Sequence, residues 1–159
     1  MPLSQIHYHF GSKDALVLAV LEHRNERLLE RQAAMFGEHL PLWKRWEKAC
    51  DFLDADLESG YVRILQELIA ASWSNPALAA AVRRFLEGWF RLLTQVGHEI
   101  AARFGSIGGL RPSELACLVG TAFLGGEALI LAGFESDGLP VRRALRRFGA
   151  TIRALEESQ

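Results

Sequence analysis

The stretch from Pro76 to Phe104 constrains this chain more than any other. Asn75-Pro76 reads as a side-chain cap followed by proline at the first helical position. Beyond it, Leu78, Val82, Phe85, Trp89, Leu92 and Val96 recur at spacings of four and three and form one apolar stripe. Leu86, Phe90, Leu93 and Ile100 form a second stripe beside the first. A helix apolar over so wide an arc is packed on two sides, so it lies centrally in a helical bundle.

The remaining punctuation is helical too. Ser12 is placed as an N-cap, with Asp14 early enough to complement the helix dipole, and the helix it opens runs to about Phe36, before Gly37 and Pro41. Further helices are expected over Leu42–Leu57, Tyr61–Trp73, 113–134 and 140–156. GSIGG (Gly105 to Gly109) and ESDG (Glu135 to Gly138) read as loops. No segment alternates with period two, so strands are not expected. The fold class is all-α, a bundle of about seven helices once a short helix near the N-terminus is counted.

Half of the 159 residues are hydrophobic and 23% are charged, which suffices for a globular core without disulfides or metals. The net charge of -1 excludes a broadly basic protein that coats nucleic acid, so any DNA contact is local. Cys50 and Cys117 stand far apart in apolar helical contexts, which suits a reducing cytoplasm rather than a disulfide framework or a zinc site. No secretory signal is read at the start. Leu115 to Gly133 is about long enough to cross a bilayer. However, it carries Glu127 and four glycines without flanking basic or aromatic anchors, so a helix buried in a protein or dimer is the preferred reading and no membrane partner is expected.

Catalytic signatures are lacking. GSIGG is followed by no Lys-Ser/Thr and forms no nucleophile elbow. The histidines show no metal-ligand pairing, and Asp51, Asp54, Asp56 and Glu58 read as a solvated helix face. The chain is therefore read as a non-enzyme with no metal and no cofactor. A small-molecule site is the better expectation, because bundle pockets are lined by aromatic side chains with a few polar handles. Trp43, Trp46, Phe52, Trp73, Phe85, Trp89, Phe90 and Phe123 are the aromatic candidates; Gln66, His98, Thr121 and Glu127 are the candidate handles. Ordinary core packing accounts for the same aromatics. On the last helix Val141, Leu145, Phe148, Ile152 and Leu155 form a narrow seam. The helix before it brings small and apolar residues, and Leu118, Ala122, Gly126 and Ile130 join that seam as candidates for a homodimer interface. An intrachain core fits the same periodicity.

The densest local pattern is PLSQIHYHFGSKDALVLAVL, from Pro2 to Leu21. A short helix bearing Ser4, Gln5 and His7 offers side chains able to bond base edges in a major groove. Tyr8 can donate to a phosphate. Ser12 and Lys13 stand at a helix N-terminus, where anions bind readily. Ile6 and Phe10 are spaced to anchor such a helix to its neighbours. This segment resembles the end of the helix-turn-helix head of TetR-family transcriptional regulators: recognition helix, aromatic segment, tight Gly-Ser-Lys turn and long connecting helix. The resemblance implies residues 1–20 as a partial DNA-binding head, with Ser4, Gln5, His7, Tyr8, His9 and Lys13 facing DNA. It implies residues 21–159 as a ligand-binding and dimerisation body. The two helices that open such a head in the family do not precede the motif here, so the chain as written is expected to bind operator DNA poorly. The reading is a homodimeric cytoplasmic repressor whose operator binding responds to a small apolar or aromatic effector. Two alternatives remain beside it: a headless dimerisation module that disables full-length relatives, and a small helical carrier or enzyme.

Overall fold

The computed structural model describes residues 13–37 and 39–158. Among them are six α-helices, a short 3-10 turn and no strand: α1 Lys13–Gly37, α2 Leu42–Glu58, α3 Tyr61–Ser72, α4 Pro76–Phe104, α5 Pro112–Leu131, the turn Phe134–Asp137, and α6 Val141–Glu157. The all-α class is as expected, and helix limits fall within a few residues of the sequence reading. The seventh helix, over Ser4 to Phe10, lies outside the described residues.

Local chemistry explains the breaks. Asn75 caps α4 through its side chain, which accepts from the Leu78 backbone N–H at 3.2 Å, and Pro76 follows at the first position. The α5 start is closed by the Glu114 carboxylate, which accepts from the Arg111 backbone N–H at 2.8 Å. Gly60 sits at φ 75° between α2 and α3, a left-handed conformation that a side chain would oppose.

Packing follows the two stripes of α4. Leu78, Val82 and Phe85 bury against Tyr61, Val62, Leu65 and Leu68 of α3, with Leu18 and Leu28 of α1 closing over them. A second cluster joins Cys50 and Leu53 of α2 to Phe123 of α5, with Trp46, Trp89 and Leu145 around it. The longest seam is between α4 and α5, and the next is between α2 and α6. The first requires small residues: a Cβ on Gly97 would stand 2.6 Å from the Pro112 carbonyl oxygen, and one on Gly120 would collide with the Phe90 ring. The acidic face of α2 is less solvated than its sequence suggests. Asp56 takes a bidentate ion pair from Arg31 of α1, and Asp54 bonds Arg142 and Arg146 of α6, so this face ties three helices together.

Helix α5 is long and apolar enough to cross a membrane, with a mean hydropathy of 1.6 over its best window, of which 22% is buried. Its buried side, Ala116, Gly120, Phe123, Gly126 and Glu127, packs into the protein.

Candidate functional site

Between the two clusters lies a cavity of about 460 Å3, within the range of small-molecule sites. Helix α1 reaches it with Asn25, Leu28, Gln32 and Met35, and α2 with Trp46, Phe52 and Asp56. Tyr61, Val62 and Leu65 of α3, and Phe85, Leu86, Trp89 and Leu93 of α4, form further wall. Val119, Phe123 and Glu127 come from α5, and Phe148, Ile152 and Leu155 from α6. Every helix contributes, and most of the surface is hydrocarbon or aromatic ring.

The aromatic wall is held in place by its own contacts. Trp46 donates from Nε1 to the Leu145 carbonyl at 2.6 Å and meets Phe123 and Phe148 edge-on, with ring centroids 5.3 and 5.2 Å apart. A Cβ at Gly149 would lie 3.2 Å from Trp46 Cδ1, so glycine there lets α6 approach the indole.

The polar groups are few and differ in their electrostatic state. Four charged residues border the cavity: Arg45, Asp56, Glu127 and Glu156. Arg45 pairs with Glu99 at 2.8 Å and also donates to the Leu40 carbonyl. Asp56 pairs with Arg31 at 2.7 Å, and Glu156 with Arg103 at 2.9 Å. Among the described residues Glu127 has only a neutral partner, the Gln66 amide, whose Nε2 donates to its Oε2 at 2.9 Å. Burial pushes the Glu127 carboxyl up to about 7, against the smaller lowering effect of the Gln66 bond. Burial also raises Asp56, opposed by Arg31, and raises the Tyr61 hydroxyl. Among the described residues, three that border the cavity carry a buried polar atom with no hydrogen-bond partner, Asn25 Oδ1, Gln32 Oε1 and the Tyr61 hydroxyl, and Arg31 Nε on α1 is a fourth such atom. Such orphans are rare in a finished core.

The aromatic candidates divide. Trp46, Phe85, Trp89 and Phe123 line the cavity, as does Glu127. Gln66 stands one bond behind it, through Glu127. Phe90 packs beside Trp89 at 5.4 Å and over Gly120, in the seam between α4 and α5. Trp43 is on the far side of α2, where Arg153 stacks over its ring at 4.9 Å and its backbone N–H donates to Glu156. Trp73 is 82% exposed, because it falls just past the last turn of α3. His98 is exposed, one position beyond the inward-facing Gly97. Thr121 is exposed and spends its hydroxyl on the Cys117 and Leu118 carbonyls of its own helix. Sequence reading missed Asn25, Gln32, Asp56 and Tyr61. Asn25 and Gln32 lie seven apart on α1, a same-face spacing that was a usable signal.

The interface candidates divide as well. Leu118 and Ala122 are exposed. Gly126 is closed by Val141 and Leu145 of the same chain, and Ile130 and Leu145 pack on the second cluster. Ile152 lines the cavity, and Phe148 and Leu155 line it while remaining half exposed. The seam of α6 therefore faces α2, α5 and the cavity of its own chain. Of the DNA-facing candidates, Ser4, Gln5, His7, Tyr8 and His9 lie outside the described residues. Lys13 is the first described residue of α1.

The class these features define is an all-α bundle enclosing an apolar cavity with one uncompensated buried carboxyl. Compared with family models, with curated proteins and with solved structures, the chain matches none.

Proposed function

We propose that this chain is the ligand-sensing, dimerising body of a TetR-like transcriptional regulator. The observation that carries the reading is that α1 walls the cavity over nearly three turns, from Asn25 to Met35, and begins at the segment resembling a recognition helix. A molecule seated against Asn25, Leu28, Gln32 and Met35 biases the position of that helix, and so the spacing of two recognition elements on half-sites about one DNA turn apart. Ligand and DNA are then coupled through their different affinities for the two spacings.

Dimerisation is proposed through α5 and α6, on faces revised from the sequence reading. Leu118, Ala122, Gly125 and Leu129 are exposed on α5 at spacings of four, three and four. Ala144, Phe148, Thr151 and Leu155 repeat the spacing on α6 and are exposed too. The two helices are adjacent, since Val141 and Leu145 close on Gly126. Apolar strips of small and large residues on neighbouring helices suit a second copy of the chain in a four-helix contact.

The test uses protein isolated from its native cells, weighed intact and then offered a pool of random duplex DNA. A regulator retains duplexes sharing a two-fold-related sequence, at a spacing near one helical turn. A recovered pool with no common sequence removes the DNA-reading part of the proposal and leaves the cavity to be explained as a carrier's.

A further inference from the structure

Glu127 is the only charged residue between Leu115 and Leu131, an otherwise apolar stretch of α5, and it is 9% exposed. A lone carboxyl in such a place costs stability unless something repays its lost hydration. The protein itself supplies only the neutral Gln66 amide, and among the described residues no cation pairs with it. The other three charged groups bordering the cavity each have an oppositely charged partner at 2.7–2.9 Å. Once ionised, Glu127 is the one charge on the cavity border without a counter-charge among the described residues, and it is negative.

Among the described residues four buried side-chain atoms lack a partner; three of them can accept, and the fourth, Arg31 Nε, is a donor on a guanidinium already held by Asp56. Asn25 Oδ1 and Gln32 Oε1 are acceptors without a donor, both from one face of α1, and both residues border the cavity. Tyr61 adds a hydroxyl able to accept, near enough to Glu127 and Asp56 to be influenced by both. The nearby cation, Arg31 of α1, pairs with Asp56 at 2.7 Å rather than with Glu127. The rest of the wall, with Trp46, Trp89, Phe85, Phe123 and Leu65, suits a hydrocarbon or aromatic body and tolerates a cation near ring faces.

We propose that the cavity is a receptor for an amphipathic organic amine, whose ammonium is taken by Glu127 while its N–H groups and apolar body engage the acceptors of α1 and the aromatic wall. This rests on the ligand-sensing reading above and names its ligand class. A neutral molecule of the same shape can donate to an α1 acceptor but brings no positive charge to Glu127, and an anionic one adds a second negative charge beside it. Glu127 titrates among fixed neighbours: Asp56 of α2 and Tyr61 of α3 face it electrostatically, and Arg31 of α1 pairs with Asp56. Helices α4 and α6 turn Trp89, Phe90, Val141 and Leu145 toward α5. An ammonium ligand favours the ionised carboxyl, so its affinity rises with pH as Glu127 loses its proton.

The experiment is calorimetric titration of the protein with decylamine, decanol and decanoate, which share a chain and differ in the head. At about pH 8 decylamine is expected to bind at least about tenfold tighter than decanol, as charge-assisted bonds exceed neutral ones. Decanoate binds weakest. Glu127→Gln, which keeps shape and hydrogen bonding, is expected to bring amine and alcohol within about twofold of each other. In the wild-type protein the amine's affinity falls on going to about pH 5 while the alcohol's does not; this measurement needs no variant to fold. Equal binding of amine and alcohol, tighter decanoate binding, or a preference surviving in Glu127→Gln each overturns the amine proposal while the cavity reading stands. Failure of all three to bind overturns the ligand-sensing reading, and the amine with it.

Discussion

The Gln66 amide of α3 donates both to the Glu127 carboxylate of α5 at 2.9 Å and to the Leu124 carbonyl of that helix at 3.1 Å. One side chain thereby fixes α3 to α5 and gives the buried carboxyl its hydrogen bond, without giving it a counter-charge. The cavity owes its chemical asymmetry to that pairing.

The first consequence is a pH dependence of stability. Burial raises the Glu127 carboxyl from 4.5 to about 7. Between those values the folded protein holds a proton that the unfolded chain has released, so stability falls as pH rises through the window and levels off above it. The shift corresponds to roughly 3 kcal/mol at about 1.4 kcal/mol per pH unit. Glu127→Gln removes the penalty. Urea unfolding of both proteins is expected to show the variant gaining on the wild type between about pH 5 and about pH 8. Parallel stability curves would show that Glu127 is solvated.

Close approach of α4 and α5 gives the second. A Cβ at Gly97 would meet the Pro112 backbone oxygen at 2.6 Å, an obstacle that cannot rotate away. Gly97→Ala is expected to cost about 1–3 kcal/mol despite the better helix propensity of alanine. Gly125, on the same seam's far side, has no atom within 4 Å of its own Cβ position. Gly125→Ala is expected to leave the isolated subunit as stable or more so by up to about 1 kcal/mol. Chemical denaturation of the two variants in parallel decides it, and equal effects would mean that the seam is loose.

How much of this was legible in the sequence depends on what sets each feature. The helices were readable because local signals mark them: Asn75-Pro76 and Pro112 start α4 and α5, and glycines follow their ends. The double stripe of α4 foretold a central helix with a wall on each side. The cavity was half readable, since period places Trp46, Phe85, Trp89 and Phe123 inward but cannot separate a wall from a solid core. Trp73 failed because one residue past a helix end has no defined face. His98 failed because its neighbour Gly97, not the histidine, is what the helix contact selects. The seam of α6 was recognised, but its partner was not, because periodicity gives a face and not the identity of what covers it. The shared face of Asn25 and Gln32 was readable from their spacing of seven, but that their oxygens and the Tyr61 hydroxyl go unpartnered was not, because an orphaned atom is a property of the whole packing.

The third prediction uses the four tryptophans as reporters. Trp46 and Trp89 border the cavity, whereas Trp73 is 82% exposed and Trp43 lies under Arg153 on the outer face of α2. A non-fluorescent ligand such as decylamine displaces water from, or packs against, the first two only. The change in emission on ligand addition is expected to survive Trp73→Phe and to shrink in Trp89→Phe, which retains an apolar ring in the wall and leaves Trp46 to report the remainder. A response that vanishes with Trp73→Phe would put the ligand at the surface.

The last concerns the exposed strips. Leu118 is 56% exposed and Leu129 37% exposed, both on the α5 face that carries Ala122 and Gly125. A glutamate at either position remains hydrated in a free subunit, so folding is expected to change little. In a dimer packed on that face the same charge is buried without a partner and is strongly unfavourable. Leu118→Glu and Leu129→Glu are each expected to weaken self-association on the order of 100-fold in Kd, an effect of about 3 kcal/mol. Leu139→Glu is a matched control, because Leu139 is 45% exposed in the loop before α6 and outside both strips. Sedimentation equilibrium reads the result directly. A wild-type protein that stays monomeric, or charged variants that associate as the wild type does, would rule out this face as the dimer contact. A wild type that instead partitions into lipid vesicles through the same leucines would assign the face to a membrane surface.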